Sequence, residues 1–182
     1  MDGRRVFVGL PASRDLAEAA MEFRRAHAGL KVRWVKPENL HLTMVSPWPC
    51  VDVDAVCCAL QDEAARQAPF EVTFERVSFG PDSRRPRLVW ATGKAPAGMP
   101  EFSGRLLAAS GAPGESRKSF LLHLTIARFN LRDYGTMGVR KLREQVAWTG
   151  TLDSLCLYES ILKPGGAEYH ELCRFPLTGG AF

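Results

Sequence analysis

His41-Leu42-Thr43-Met44 recurs 82 residues later as His123-Leu124-Thr125-Ile126. Alternate residues of a β-strand face opposite ways. Each copy, read as a strand, therefore shows His and Thr on one face and sends Leu and an aliphatic residue into a core. A chain that repeats this pattern needs two strands backed by apolar layers. The spacing suggests two similar halves, each giving one His-x-Thr pair to a shared groove.

The residue types in these pairs suit chemistry at phosphorus. Imidazole exchanges a proton near neutral pH, so two of them on opposite sides of a scissile phosphorus can serve as general acid and general base. The Thr43 and Thr125 hydroxyls can donate to non-bridging oxygens as charge builds there. Two neutral imidazoles without carboxylates make a poor zinc site, so neither metal nor cofactor is expected. No glycine-rich phosphate loop of the G-x-x-x-x-G-K-[ST] or G-x-G-x-x-G type is present.

The rest of the chain alternates short strands with helices. Val6–Leu10 reads as a strand stopped by Pro11, and Ser13 as the cap of a helix over 14–28. Residues 32–35 are a strand, 36–39 a turn and 40–45 a strand, with Ser46-Pro47-Trp48-Pro49 breaking the pattern. Asp52 or Asp54 caps a helix to Gln67, followed by strands at Phe70–Phe79 and Arg87–Thr92. A helix over 101–110, a polar loop at Gly111–Ser119 and a strand at Phe120–Ala127 follow. A helix is expected over 136–147 and a strand over Thr149–Leu162. A turn at Lys163–Gly166 leads into Glu168–Phe175. This order points to an α+β fold rather than a doubly wound parallel sheet.

Composition permits this reading without selecting it. The chain of 182 residues is 46% hydrophobic and 24% charged, which excludes a disordered or fibrous protein. Its length favours one domain or two small lobes of roughly 90 residues each. A net charge of +4 gives a mild bias toward anionic partners. No apolar run approaches the ~18 residues of a membrane span, and no signal sequence is evident. Five cysteines without a C-x-x-C pair, two of them adjacent (Cys57 and Cys58), read as reduced, mostly buried residues of a cytoplasmic protein.

The two His-x-Thr-x motifs and their flanks resemble the bacterial RNA 2′,3′-cyclic phosphodiesterase or 2′-5′ RNA ligase family of the 2H phosphoesterase superfamily. The likeness runs through Arg4–Pro11, Val32–Val35, Pro37–Leu40, Arg85–Trp90, Ala127-Arg128, Leu157–Ser160, Gly165–Tyr169 and Phe175–Leu177. It implies a bilobal, pseudo-symmetric α+β domain covering residues 1–182, two intertwined lobes whose antiparallel sheets line a central groove, with helices outside. It also implies hydrolysis of RNA 2′,3′-cyclic phosphate ends to 2′-phosphomonoesters, and ligation through a 2′-5′ bond in reverse. On this chain His41 becomes the proton donor, His123 the proton acceptor, and Thr43 and Thr125 the phosphoryl-oxygen contacts. The chain departs from the family pattern at Val45–Pro49 and at Leu122, where members commonly carry Phe-Leu-Gly and Pro. Both departures bear on groove shape and substrate preference.

Further candidates carry ordinary structural alternatives. By resemblance Arg128 contacts the phosphate, and its guanidinium suits paired hydrogen bonds; a structural salt bridge is the alternative. Trp48, Trp34 and Phe7 are candidates to stack on a nucleobase, or they belong to the core. Arg84, Arg85 and Arg87 either meet an RNA backbone or sit in a solvated loop. His27 and His170 lack a Thr two residues on and read as structural or exposed. The expected partners are RNA 3′ ends or nucleotides bearing a 2′,3′-cyclic phosphate, with no membrane, no obligate protein partner and a monomer as the default. The rival readings are a cyclic phosphodiesterase for a small nucleotide or 2′-5′ oligonucleotide, and a non-catalytic module that binds RNA ends.

Overall fold

A computed structural model describes residues 3–82, 84–115, 119–163 and 166–180, and among these nine strands form two antiparallel sheets. The first contains β1 (Arg4–Pro11), β3 (His41–Cys50), β8 (Ser154–Lys163) and β9 (Gly166–Pro176), in the order β3-β1-β8-β9. The second contains β2 (Arg33–Trp34), β4 (Phe70–Gly80), β5 (Leu88–Gly93), β6 (Leu122–Arg128) and β7 (Arg143–Leu152), in the order β2-β6-β5-β4-β7. Each sheet therefore draws strands from both halves of the chain. The two His-x-Thr strands, β3 and β6, lie in different sheets.

The helices form where the sequence supplies caps and an apolar stripe. In α1 (Arg14–Ala26) the Ser13 hydroxyl accepts from the Leu16 amide, and Leu16, Ala20 and Phe23 bury one face. Phe23 meets Trp148 of β7 edge-on at 5.9 Å. A side chain at Gly150 would overlap Leu16 and Ser13, so this glycine is what lets the helix start lie against β7. Asp52 caps α2 (Val53–Ala65) at the Ala55 amide, 2.9 Å away. Along it Val56, Leu60 and Ala64 line up at intervals of four. The next helix, α3 (Met99–Ser110), packs on α2, where Arg105 donates to Glu63 and to Gln67, both at 2.9 Å. A short α4 (Leu131–Thr136) is capped by Asn130.

Four sequence expectations need correction. Ser46–Pro49 does not end the strand, because β3 runs on to Cys50. It is an edge strand, and Pro47 and Pro49 are exposed on it, where a missing amide donor costs no ladder hydrogen bond. The helix expected over 136–147 is absent: α4 ends at Thr136 and β7 begins at Arg143, paired along β4. Gly138 turns the chain with φ +70°, and Val146, Thr149 and Thr151 favour the extended state. The single strand expected over 149–162 is two strands in two sheets, divided at Asp153. Finally, not all cysteines are reduced. Cys57 of α2 is joined to Cys173 of β9, their Cα atoms 6.5 Å apart, while Cys50, Cys58 and Cys156 are free.

That disulfide was hidden by a sequence separation of 116 residues and appears only once α2 docks on the first sheet. It removes the cysteine argument for a reducing compartment. Among the described residues no helix is long and apolar enough to cross a membrane. The expected loop at 111–119 and turn at 163–166 lie partly outside the described residues.

Candidate active site

Both motifs behave as alternating strands. Leu42 and Leu124 are fully buried and Met44 and Ile126 nearly so, while His41, Thr43, His123 and Thr125 keep part of their surface open. Register then fixes what surrounds each pair. His41 and Thr43 stand opposite Pro11 and Gly9 of β1, and His123 and Thr125 opposite Thr92 and Trp90 of β5.

The two imidazoles are oriented by the same device. Nδ1 of His41 lies 2.7 Å from the carbonyl of Asn39, and Nδ1 of His123 lies 3.0 Å from that of Leu121. A carbonyl only accepts, so each Nδ1 carries the proton and donates it to a residue two positions upstream. Each Nε2 is then the reactive nitrogen, and none of the described residues hydrogen-bonds to it. Sequence reasoning named the histidines but not these backbone partners. The signal was there in the equal offset, since each His lies at or next to the start of its strand and the carbonyl at i−2 falls just before that strand, free for the ring.

Aromatic packing makes the two rings unequal. His41 lies 4.8 Å from Phe7, 5.3 Å from Tyr169 and 5.8 Å from Tyr158, centroid to centroid. Among the described residues His123 has one such neighbour, Trp90 at 5.3 Å. Three rings around His41 strip water from it, although one edge stays open to the cleft. This desolvation pushes its pKa down to about 4. The Asn39 carbonyl pulls the other way, and the positive charges of Arg128 and His123 add to the lowering. In the free protein His41 is neutral at pH 7.

Two adjoining cavities, of about 750 and 1040 Å³, meet at His41, Thr43, Pro47 and Arg128. The larger also receives His123 and Thr125, so both His-Thr pairs and Arg128 border one continuous space. Arg128 reaches it through a bulge. Val89 pairs with Ala127 but Trp90 with Thr125, which leaves one extra residue in β6. Ile126 and Ala127 are accordingly both buried, and Arg128 turns onto the face of His123 and Thr125. Strict alternation would have sent it into the core. Among the described residues no carboxylate pairs with it.

The aromatic candidates divide. Trp34 lines the smaller cavity, with Phe7 and Tyr169. Trp48 does not belong to the site: it is 5% exposed, lies opposite Val6 and packs in the core. Of the loop arginines, Arg87 lines the larger cavity, while Arg84 and Arg85 line neither. His27 stacks on Phe23 at 3.9 Å and contacts Glu144 at 2.7 Å, a structural position. His170 is exposed on β9. Among the described residues no group of three or more His, Cys, Asp or Glu side chains is placed to hold a metal ion.

Residues 8–90 match the family described as LigT like Phosphoesterase. The sequence is 28% identical to the RNA 2′,3′-cyclic phosphodiesterase of Aquifex aeolicus, covering 96% of this chain and 98% of that protein. The protein of the same name from Archaeoglobus fulgidus is 26% identical over 92% of this chain and 97% of its own. By this match and by its likeness to both proteins along nearly its whole length, the chain is similar to the LigT-like phosphoesterases. Solved structures share the fold of this chain. A Thermus thermophilus protein superposes with a TM-score of 0.78 at 23% identity, over 97% of this chain and 100% of the other. Escherichia coli LigT complexed with 3′-AMP gives 0.69 at 23% identity, over 98% and 99%. The α+β architecture, with two antiparallel sheets, is shared with these structures.

Proposed function

We propose that this phosphoesterase hydrolyses RNA 2′,3′-cyclic phosphate ends to 2′-phosphomonoesters by acid/base catalysis between His41 and His123. The observation that carries the reading is the pair of Nε2 atoms. Each ring is locked by the carbonyl two residues upstream, each reactive nitrogen is left without a partner among the described residues, and both rings border one cavity. Two relatives aligned over nearly their whole length are named for this activity.

In this scheme His123 Nε2 takes a proton from water as the water oxygen bonds to phosphorus. The P–O3′ bond breaks on the opposite side, and O3′ takes a proton from His41 Nε2. The 2′-phosphomonoester remains with a free 3′-hydroxyl. Thr43 and Thr125 hydroxyls and the Arg128 guanidinium hold the non-bridging oxygens, where charge increases. Two imidazoles, two hydroxyls and a guanidinium contain no carboxylate or thiolate to anchor a divalent cation, so the scheme uses none.

The neutrality of His41 in the free protein bears on its role. A donor must arrive protonated, and the negative charge of a bound phosphodiester stabilises the imidazolium that burial disfavours. Substrate binding therefore draws a proton onto His41 and arms it as the acid. With a 5′-hydroxyl in place of water, the same ring opening joins two chains: His123 takes the hydroxyl proton, the 5′ oxygen bonds to phosphorus, and O3′ leaves with the proton of His41, giving a 2′-5′ linkage. The test is incubation with a cyclic-ended oligonucleotide in EDTA. The expected product carries a 2′-monophosphate, and loss of turnover in chelator with recovery on adding zinc would overturn the scheme.

A further inference from the structure

The two cavities that meet at His41 differ in charge. Among the described residues, the larger has Arg87 and Arg128 against Glu115. Among the described residues, the smaller has Arg5, Arg33, Lys36, Lys163 and Arg128 against Glu168, which Lys163 takes up at 2.6 Å. His123 and Thr125 border only the larger cavity. A phosphate held between the histidines thus has a cationic chamber on the side of His41 and the water-activating group on the other.

Arg5 stands out within that chamber. Its Nη1 donates to Ser160 Oγ at 2.7 Å, and Ser160 is only 4% exposed. The buried hydroxyl fixes the guanidinium and leaves its other donors open. Among the described residues no carboxylate pairs with Arg5. Arg5 and Phe7 lie two apart on β1, about 7 Å at the rise of a strand, and Phe7 contacts His41. Trp34 borders the same space from the second sheet, its ring braced by Phe23 at 6.5 Å.

We propose that the smaller cavity is the subsite for the RNA chain upstream of the cyclic end, with Arg5 binding the phosphodiester that joins the terminal nucleotide to its 5′ neighbour. The proposal rests on the reading of the cleft given above. If His41 protonates O3′, the terminal ribose lies on the His41 side, and the chain attached to it must leave through this chamber. A fixed guanidinium forms paired hydrogen bonds with a phosphodiester, and Trp34 offers a face to a base. The enzyme then distinguishes an RNA end from a mononucleotide by one additional phosphate.

The experiment compares a trinucleotide ending in a 2′-phosphate with adenosine 2′-monophosphate, measuring affinity for wild type, Arg5→Ala and Arg5→Lys. The wild type is expected to prefer the trinucleotide, and Arg5→Ala to reduce that preference roughly tenfold, as loss of a charged hydrogen-bond pair does. Arg5→Lys should restore part of it, with a weaker salt dependence in Arg5→Ala than in wild type. Equal weakening of both ligands, or none, overturns the subsite. Turnover of the corresponding cyclic substrates is followed in parallel. If wild type cleaves neither, the functional reading fails, while the binding contrast still decides the subsite.

Discussion

Lowering the pH should weaken this fold through His41, and the size of the effect follows from its surroundings. The ring is neutral in the folded protein down to a pKa of about 4, while in the unfolded chain it titrates near 6.5. Between these values the unfolded state binds more protons, so stability rises with pH there. Above about 6.5 the contribution is intact. It drains as pH falls toward 4 and is lost below both values. The full loss is about 3 kcal/mol, with roughly 2.5 kcal/mol already expressed at pH 4.5. That is a large part of the 5–15 kcal/mol typical of a folded domain. The assay is urea unfolding of wild type and His41→Gln at pH 7 and 4.5, with the His41 ring titrated by NMR. Carboxylates that also titrate, such as Glu171 held low by Arg174, contribute to both proteins and cancel in the difference. Wild type should lose about 2.5 kcal/mol more than the variant on acidification. Parallel losses, or a His41 titration near its ordinary value, would refute desolvation as the force acting on this ring.

Other consequences are equally direct. Gly9→Ala would place a methyl 3.0 Å from the Leu42 carbonyl oxygen and 3.3 Å from the His41 ring. Strand β1 must then shift against β3, and kcat/KM should fall roughly 10- to 100-fold, with only about 1–2 kcal/mol lost in urea; activity within twofold of wild type would show that His41 tolerates the displacement. The rate should also follow a bell in pH, falling in acid as the base is protonated and in alkali as the acid is lost. Its two limbs belong to the histidine pair rather than to either ring, and a flat profile from about pH 5 to 8 would count against both roles.

The catalytic strands were legible because alternation is local. Leu42 and Leu124 could be assigned to the core, and His41, Thr43, His123 and Thr125 to the other face, from parity alone. Trp48 shows the same signal overlooked. Pairing runs from Val6–Trp48 to Val8–Val45 and Gly9–Thr43, which puts two extra residues into β3. Two bulged residues restore parity, so Trp48 faces inward with Leu42 and Met44. Arg128 is the opposite case, since a single bulge in β6 reverses its direction, and no pattern in its own strand announces that. Resemblance supplied it instead. The 136–147 helix failed because β7 is held by pairing with β4, far away in sequence. The Cys57–Cys173 bond needed α2 and β9 to be packed together first. Local period was readable; partners across the fold were not.

The measurement closest to the central claim is kcat/KM for a cyclic-ended RNA in EDTA, for wild type, His41→Ala, His123→Ala and the double variant. If the two rings act as one acid/base unit, each single change should cost about 10²–10⁴-fold, and the double variant should be little worse than either. Singles that keep activity within tenfold of wild type would contradict the account.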